Sequence, residues 1–102
     1  MKEIKRGQVY IVEVYINRTN KACSDYPCVI LSNMNTNVQY ISVLPIVTYP
    51  IVNGKNYKLS NGKFLYPAAY TVSIKNIKEY CTALNKEDMA IVDEYCKDVF
   101  GI

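Results

Sequence analysis

The sequence predicts a small, mostly β domain of the α+β class, in which short antiparallel strands are followed by one C-terminal helix. Two observations carry this prediction. Short runs of β-branched and aromatic residues recur along the chain, separated by turn signals such as Asn-Gly. The C-terminal segment instead has the spacing of an amphipathic helix. At 102 residues the chain has room for one hydrophobic core, so residues 1–102 are expected to form a single domain.

The first predicted strand follows Arg6-Gly7-Gln8 and contains the alternating run from Val9 to Ile16. Its β-branched and aromatic residues are typical of a strand with two distinct faces. Val9 and Ile11 are expected on one face, and Tyr10, Val12 and Val14 on the other.

The central strand is predicted within the stretch Tyr26-Pro27-Cys28-Val29-Ile30-Leu31-Ser32-Asn33. Its apolar run is too short for a helix and indicates a strand buried on both faces. Pro27 lacks an N–H group, so it is expected at the first position of this strand. The polar segment from Asn17 to Asp25 precedes it as a loop. Because binding groups are often mounted on loops next to rigid strands, we expect Tyr26 to lie beside the functional site.

Three further strands are predicted downstream. A third strand runs from Val38 to Ile46, with Pro45 at its edge or at a bulge. A short strand, Tyr57 to Leu59, lies between the turns at Asn53-Gly54 and Asn61-Gly62. A fifth strand covers Tyr70 to Ile74 and continues toward Ile77. The pattern of residues 78–82 does not distinguish strand from other secondary structure.

The helix is predicted to begin at Asn85, a favourable N-cap residue, and to stop at Gly101. Asp88, three residues after the cap, resembles the acidic member of a capping box. One apolar stripe is expected to face the core, formed by Met89, Val92, Cys96 and Val99.

Charge is distributed unevenly. Residues 1–86 hold eleven of the twelve Lys and Arg and four acids, a balance of +7, whereas residues 87–102 hold Lys97 and five acids, a balance of −4. A basic body is compatible with a polyanionic partner, and equally with ordinary solvated charge. No apolar run approaches the ~18 residues of a membrane span, and no signal-peptide pattern is present. We therefore expect a soluble, cytoplasmic protein.

The cysteines do not form a recognisable metal motif. Cys23, Cys28, Cys81 and Cys96 include no C-x-x-C pair, and the chain has no histidine. We expect free, mostly buried thiols, no metal and no cofactor. Cys23 is expected on the loop, and its reactivity is left open.

Several segments together resemble the MazF/PemK family of toxins. These segments occur in the family's order over nearly the whole chain: Arg6-Gly7-Gln8-Val9-Tyr10-Ile11-Val12, Tyr26 to Asn33, Val43-Leu44-Pro45-Ile46-Val47-Thr48, Val72-Ser73-Ile74-Lys75-Asn76-Ile77 and Leu84 to Ile102. The resemblance implies an SH3-like small barrel that pairs into a homodimer. It also implies a toxin of a type II toxin–antitoxin system, a metal-independent endoribonuclease that cuts single-stranded mRNA at short sequences. Its antitoxin would fill the RNA groove with an acidic tail.

The chain departs from the family at both expected catalytic positions. The family's arginine before the proline is replaced by Tyr26, which carries no positive charge. Alignment on Pro45 puts Val47 at the family's threonine position and Thr48 one residue later, and Lys21 falls where some members carry a glutamate. Two hypotheses follow.

In the first hypothesis a bulge near Pro45 brings Thr48 into place, and Arg18 or Lys21 supplies the cation. Thr48, Arg18, Lys21 and Tyr26 are then the candidate catalytic residues. In the second hypothesis cleavage is lost, and the protein acts by binding RNA, an antitoxin-like partner or another protein, as the similarly folded CcdB binds gyrase. The candidate RNA-binding residues are Lys75, which aligns with a basic position of the family, and Ser73, Lys55 and Lys58.

Overall fold

The computed structural model describes residues 4–15, 24–32, 39–51 and 54–101. Within these ranges the chain forms seven strands, one α-helix and a short 3-10 helix (Ile74–Asn76). The strands and helix are β1 (Gln8–Val14), β2 (Ser24–Ile30), β3 (Tyr40–Val47), β4 (Tyr57–Lys58), β5 (Phe64–Leu65), β6 (Tyr70–Ser73), β7 (Ile77–Ala83) and α1 (Lys86–Phe100).

All the strand pairs are antiparallel, and the sheet has the order β4-β5-β3-β2-β1-β7 with β6 on β3. β3 pairs with β2 along one edge and with β6 and then β5 along the other. The 3-10 helix carries the chain from β6, which pairs with β3, to β7, which pairs with β1. The sheet is thereby brought around on itself, with α1 against one side. This confirms the predicted small antiparallel barrel with a C-terminal helix.

The sheet has a hydrophobic cluster on each face. The helix-side core lies beneath α1 and contains Val9, Val29, Leu44, Ile46, Tyr57, Leu59, Leu65, Val92 and Tyr95. The inner core lies on the other face and contains Ile4, Tyr10, Val12, Val14, Cys28, Ile30, Ile41, Val43, Val47, Tyr66 and Val72. The alternation predicted for β1 and the two-sided burial predicted for β2 are therefore both confirmed. Ile16 and Val38, expected at strand ends, lie outside the described residues.

Two prolines occupy strand positions that differ from the predictions. β2 begins at Ser24, so Pro27 lies within the strand, opposite Ile11. Its missing N–H group is tolerated because pairing with β3 begins only at Cys28. Pro45 is buried in a continuous β3, without a register shift against β2. On its other edge, pairing with β6 ends at Val43 and pairing with β5 begins at Ile46, so Pro45 falls between two partners.

Two observed strands, β5 and β7, were not predicted, and the buried face of α1 differs from the predicted one. β5 has only two residues, and β7 covers the stretch whose pattern did not distinguish strand from other secondary structure. On α1 the buried residues are Asp88, Val92 and Tyr95. Val99, predicted to face the core, is 50% exposed. α1 is too polar to span a membrane, and no other described helix is long and apolar enough to do so.

The N-terminus of α1 is tied to a turn through Asp88. Asn85 accepts a hydrogen bond from the Asp88 N–H at 2.8 Å, which confirms the predicted N-cap. The Asp88 side chain does not return to the cap as a capping box requires. Its two oxygens instead accept hydrogen bonds from the N–H and Oγ of Ser60, both at 2.9 Å.

We expect Asp88→Ala to lower the free energy of unfolding by about 2 kcal/mol, because charge-assisted hydrogen bonds are lost and the Ser60 N–H is left without its acceptor. Urea unfolding followed by circular dichroism measures the change. Glu87→Ala is the matched control, since it removes the same charge from the same turn at an exposed position and should cost less than about 1 kcal/mol. Equal losses in the two variants would contradict this role for Asp88.

Candidate active site at the end of β2 and β3

Thr48 is exposed at the end of β3, whereas Val47 faces the inner core and is 3% exposed. The strand alternates in the ordinary way here, because Ile46 lies in the helix-side core and Val47 in the inner core, and the β2–β3 register runs to Pro45 without a shift. The bulge that the first hypothesis required is therefore absent from the described β2–β3 pairing. The hydroxyl of Thr48 reaches the surface without it.

Tyr26 lies at the same end of the β2–β3 pair. Cys28 pairs with Pro45, so Tyr26, two residues before Cys28, and Val47, two residues after Pro45, extend toward one edge. Tyr26 is half-buried, opposite Val12 in β1, and packs against the inner core. The register brings Tyr26 and Thr48 to the same end of the β2–β3 pair, although the alternation of β3 turns Thr48 away from the face on which Tyr26 packs.

Three more tyrosines join Tyr26 at this end of the sheet, and together they form what we call the tyrosine cluster (Tyr26, Tyr49, Tyr66 and Tyr70). The rings of Tyr66 and Tyr70 stack with centroids 6.5 Å apart and planes at 25°. The Tyr66 N–H donates to the Pro45 carbonyl at 2.8 Å, which fixes Tyr66 beside β3. Burial raises the pKa of Tyr70, and the nearby phenols of Tyr66, Tyr49 and Tyr26 act in the same direction.

The tyrosine cluster therefore presents aromatic rings and phenol hydroxyl groups, and that of Tyr70 is held in its neutral form by burial. Phenols donate hydrogen bonds to phosphate oxygens, and their rings stack on nucleobases. They supply no positive charge, which the family's arginine would supply.

Lys58 is a cation on the same face of the sheet as Val47. It pairs with Phe64 in β5, and Phe64 pairs with Val47 in β3. Residues directly opposite on neighbouring strands share a face, so Lys58 lies two strands, or roughly 10 Å, from Val47. Its side chain is exposed.

Lys55 lies on the other side of the sheet, with α1. Its ammonium forms ion pairs with Glu94 and with Asp98, the latter at 2.9 Å, and lies 5.3 Å from the centre of the Tyr57 ring. Hydrogen bonds to Asp98 and Glu94 raise its pKa. The charge of Lys55 is already compensated, so the structure does not bring this predicted RNA-binding residue together with Thr48.

Ser73 and Lys75 are positioned by the 3-10 helix. Ser73 caps it by accepting a hydrogen bond from the Lys75 N–H at 3.2 Å. The Lys75 side chain is exposed, and among the described residues its ammonium has no ion-pair partner. Ser73 is half-buried next to it.

Arg18, Lys21 and Cys23 lie outside the described residues. Cys28 is buried, and burial raises the pKa of its thiol to about 12, so it is protonated and unsuited to nucleophilic chemistry. Cys81 is exposed and Cys96 half-buried, and both are free. In the part of the chain that the structure describes, no three Cys, Asp or Glu side chains come together as metal ligands would.

Sequence reasoning identified Tyr26 but missed its three partners. Tyr49 follows β3, Tyr66 follows β5 and Tyr70 begins β6, so they come from separate segments. No local pattern links them, because only the pairing of β3 with β5 and β6 brings these segments to one rim.

No protein-family model matches the sequence, and no curated protein matches it. Two solved structures resemble the chain over its full length. One is an endoribonuclease from a mycobacterial species, with a TM-score of 0.76 and 16% identity, of which 95% is covered. The other is an endoribonuclease in complex with its cognate antitoxin, also from a mycobacterial species, with a TM-score of 0.71, 16% identity and 97% coverage. The chain therefore shares its fold with these two endoribonucleases, and it is the fold that the sequence resemblance implied.

Proposed function

We propose that this protein is the toxin of a type II toxin–antitoxin pair and an endoribonuclease that cuts single-stranded mRNA at short sequences. The single observation that carries the proposal is the exposed Thr48 hydroxyl, at the strand end that also holds Tyr26, on a fold shared with two endoribonucleases. We propose that it acts in the cytoplasm as a homodimer and requires no metal. Because one of the similar structures is a complex with a cognate antitoxin, an antitoxin with an acidic tail is the proposed protein partner.

In the proposed reaction the 2′-OH of one nucleotide attacks the adjacent phosphorus. The new O–P bond gives a 2′,3′-cyclic phosphate, the P–O5′ bond breaks, and the 2′-proton is lost as the departing 5′-oxygen gains one. Thr48 would donate a hydrogen bond to a phosphoryl oxygen, and Tyr26 would donate to the oxygen that departs. Arg18 or Lys21 would supply the positive charge for the developing oxyanions. Lys58, Lys75 and Ser73 would hold the RNA strand.

The direct test is incubation of the purified protein with a long, unstructured RNA in EDTA, with cut ends mapped by primer extension. Discrete cuts in EDTA support a metal-independent ribonuclease. Intact RNA, with a folded protein verified in the same sample, would contradict it.

The cation requirement gives a separate prediction. We expect the double variant Arg18→Ala, Lys21→Ala to lower the cleavage rate by about 10²-fold or more, since oxyanion stabilisation is usually the largest catalytic contribution. The double variant Lys63→Ala, Lys86→Ala is the matched control, because it removes two exposed lysines outside the proposed site. Equal rates for the two variants would show that neither loop cation takes part.

A second candidate function is supported by the tyrosine cluster itself. Tyr26 stands where the family's arginine would lie, and it is one of three tyrosines near Tyr70, whose ring stacks on Tyr66. A neutral aromatic surface suits a binding protein that has lost cleavage and recognises RNA or a protein partner. This alternative predicts intact RNA in the EDTA experiment, and an interface that the Arg18→Ala, Lys21→Ala variant leaves unchanged.

A further inference from the structure

A groove lies beside the 3-10 helix, and of the residues that line it only Lys75 has a proposed role so far. It has a volume of about 440 Å³, within the range of small-molecule binding sites. The groove is lined by Ile4, Tyr10, Ile74, Lys75, Ile77, Lys78 and Tyr80. Its floor is apolar and aromatic, and two lysines stand at its edge. These are the features of a site for a flat, apolar ligand that carries a negative charge.

The aromatic part of the groove is an edge-to-face pair. The rings of Tyr10 and Tyr80 have centroids 5.4 Å apart and planes at 75°. Tyr10 is 5% exposed and its hydroxyl donates to Gln8 Oε1 at 3.4 Å, so it is the fixed member. Tyr80 is 43% exposed on β7. A supported and accessible phenol ring is a stacking surface for a nucleobase.

The two lysines at the edge of the groove leave one positive charge available to a ligand, which favours a ligand with a single negative group. Lys78 forms an ion pair with Asp25 at 3.0 Å. Lys75 has no acidic partner among the described residues, so its ammonium is the charge that a ligand would neutralise. One nucleotide offers one phosphate group for each base. A multiply acidic peptide would meet a single uncompensated lysine here.

The groove is connected to the candidate active site by a short path. β6 runs from Tyr70, in the tyrosine cluster, to Ser73, which is about 10 Å along a strand. Lys75 follows within the 3-10 helix, where each residue adds about 2 Å. A strand that occupies the rim at Thr48 would therefore reach the groove within a few nucleotides, as in domains that bind single strands over roughly 4–16 nucleotides.

We propose that the groove binds one unstacked nucleobase of the RNA, on Tyr80 supported by Tyr10, with the adjacent phosphate on Lys75. The inference rests on the proposed function and adds to it a base subsite away from the scissile phosphate. Because this subsite holds a base, it would contribute to the sequence preference of the enzyme.

The test uses the full chain and a 2′-O-methyl RNA oligonucleotide, which lacks the attacking hydroxyl and stays intact. Affinity is measured by fluorescence anisotropy, and 2-aminopurine placed at successive positions reports stacking. We expect Tyr80→Leu to weaken binding by about 5- to 100-fold, as for loss of one base–aromatic stack, and to abolish the 2-aminopurine response at one position. Tyr80→Phe keeps the ring and should remain within about 2-fold of wild type.

Two controls separate the subsite from general effects. Phe100→Leu removes an aromatic ring that is 52% exposed at the end of α1 and does not line the groove. Lys75→Ala should lower the slope of log affinity against log salt by about 0.7, the contribution of one phosphate contact on a single strand, whereas Lys63→Ala should leave it unchanged.

Equal affinities for Tyr80→Leu and Phe100→Leu, with tight binding by the wild type, would overturn the base subsite and leave the proposed function intact. The same holds if Tyr80→Leu impairs only binding of an antitoxin, since the groove would then be a protein site. If the wild type fails to bind RNA even at low salt, the subsite and the proposed function fail together.

Discussion

Thr48→Ala is expected to lower the rate of RNA cleavage by about 10²-fold or more, the size of effect seen when one donor to a developing oxyanion is removed. Thr48 is exposed at the end of β3 and its replacement removes only a hydroxyl and a methyl group from the surface. The free energy of unfolding should therefore change by less than about 0.5 kcal/mol. Single-turnover cleavage in EDTA measures the rate, and urea unfolding checks the stability.

Thr48→Ser is the informative companion variant, because it keeps the hydroxyl. We expect it to retain cleavage within about 10-fold of wild type, since the donor remains although its rotamer is freer. Cleavage by Thr48→Ala at the wild-type rate would remove Thr48 from the mechanism. The search for the donor would then pass to the hydroxyls of the tyrosine cluster, with Tyr26→Phe as the first variant.

Tyr95→Ala is expected to lower the free energy of unfolding by about 3–5 kcal/mol, as for other large aromatic side chains removed from cores. Tyr95 is 1% exposed and belongs to the helix-side core. Its ring packs edge-to-face on Tyr57 at 5.4 Å and on Phe100 at 6.1 Å. Because small domains are stable by only about 5–15 kcal/mol, such a loss takes a large share of the total.

Urea unfolding at equilibrium measures this loss, and Tyr95→Phe is its matched control. The phenylalanine keeps the ring and its contacts, so it should cost about 1 kcal/mol, the usual net contribution of one hydrogen bond. Val99→Ala removes an exposed side chain from the same helix, for which we expect only a small loss of stability. Val99 is 50% exposed, so its truncation should cost less than about 1 kcal/mol. Similar losses for Tyr95→Ala and Val99→Ala would contradict the observed orientation of α1.

The orientation of α1 shows where a sequence pattern loses precision. The apolar stripe of Met89, Val92, Cys96 and Val99 predicts a buried face close to the true one, but displaced around the helix. Tyr95 was overlooked because a polar hydroxyl weakens its hydrophobic signal. Asp88 is buried because Ser60, 28 residues earlier, satisfies both carboxylate oxygens. Neither the burial of Tyr95 nor that of Asp88 can be predicted without knowing that residues 57–60 pack against α1.

In the candidate site, too, the sequence identifies some residues and the structure determines how they are oriented. Thr48 and Tyr26 are identifiable from the sequence, since both flank prolines in strand-like stretches that resemble a known family. The sequence left the orientation of Thr48 open, because a shift of one residue turns a strand side chain to the other face. The register of β3, which is unshifted against β2 up to Pro45 and pairs Val47 with Phe64 in β5, leaves Val47 buried and Thr48 exposed. Lys55, a candidate on charge alone, is instead paired with α1.

The sequence by itself determined the features that depend on neighbouring residues. These are the alternating faces of β1, the two-sided burial of β2, the Asn85 cap of α1 and its end at Gly101, where φ is +71°. Only the tertiary structure determined that the four tyrosines lie close together, that a groove forms beside Tyr80, and that the charge of Lys55 is compensated by Glu94 and Asp98. Each of these joins segments that are distant in the chain, and such contacts are set by strand pairing and core packing rather than by local preference.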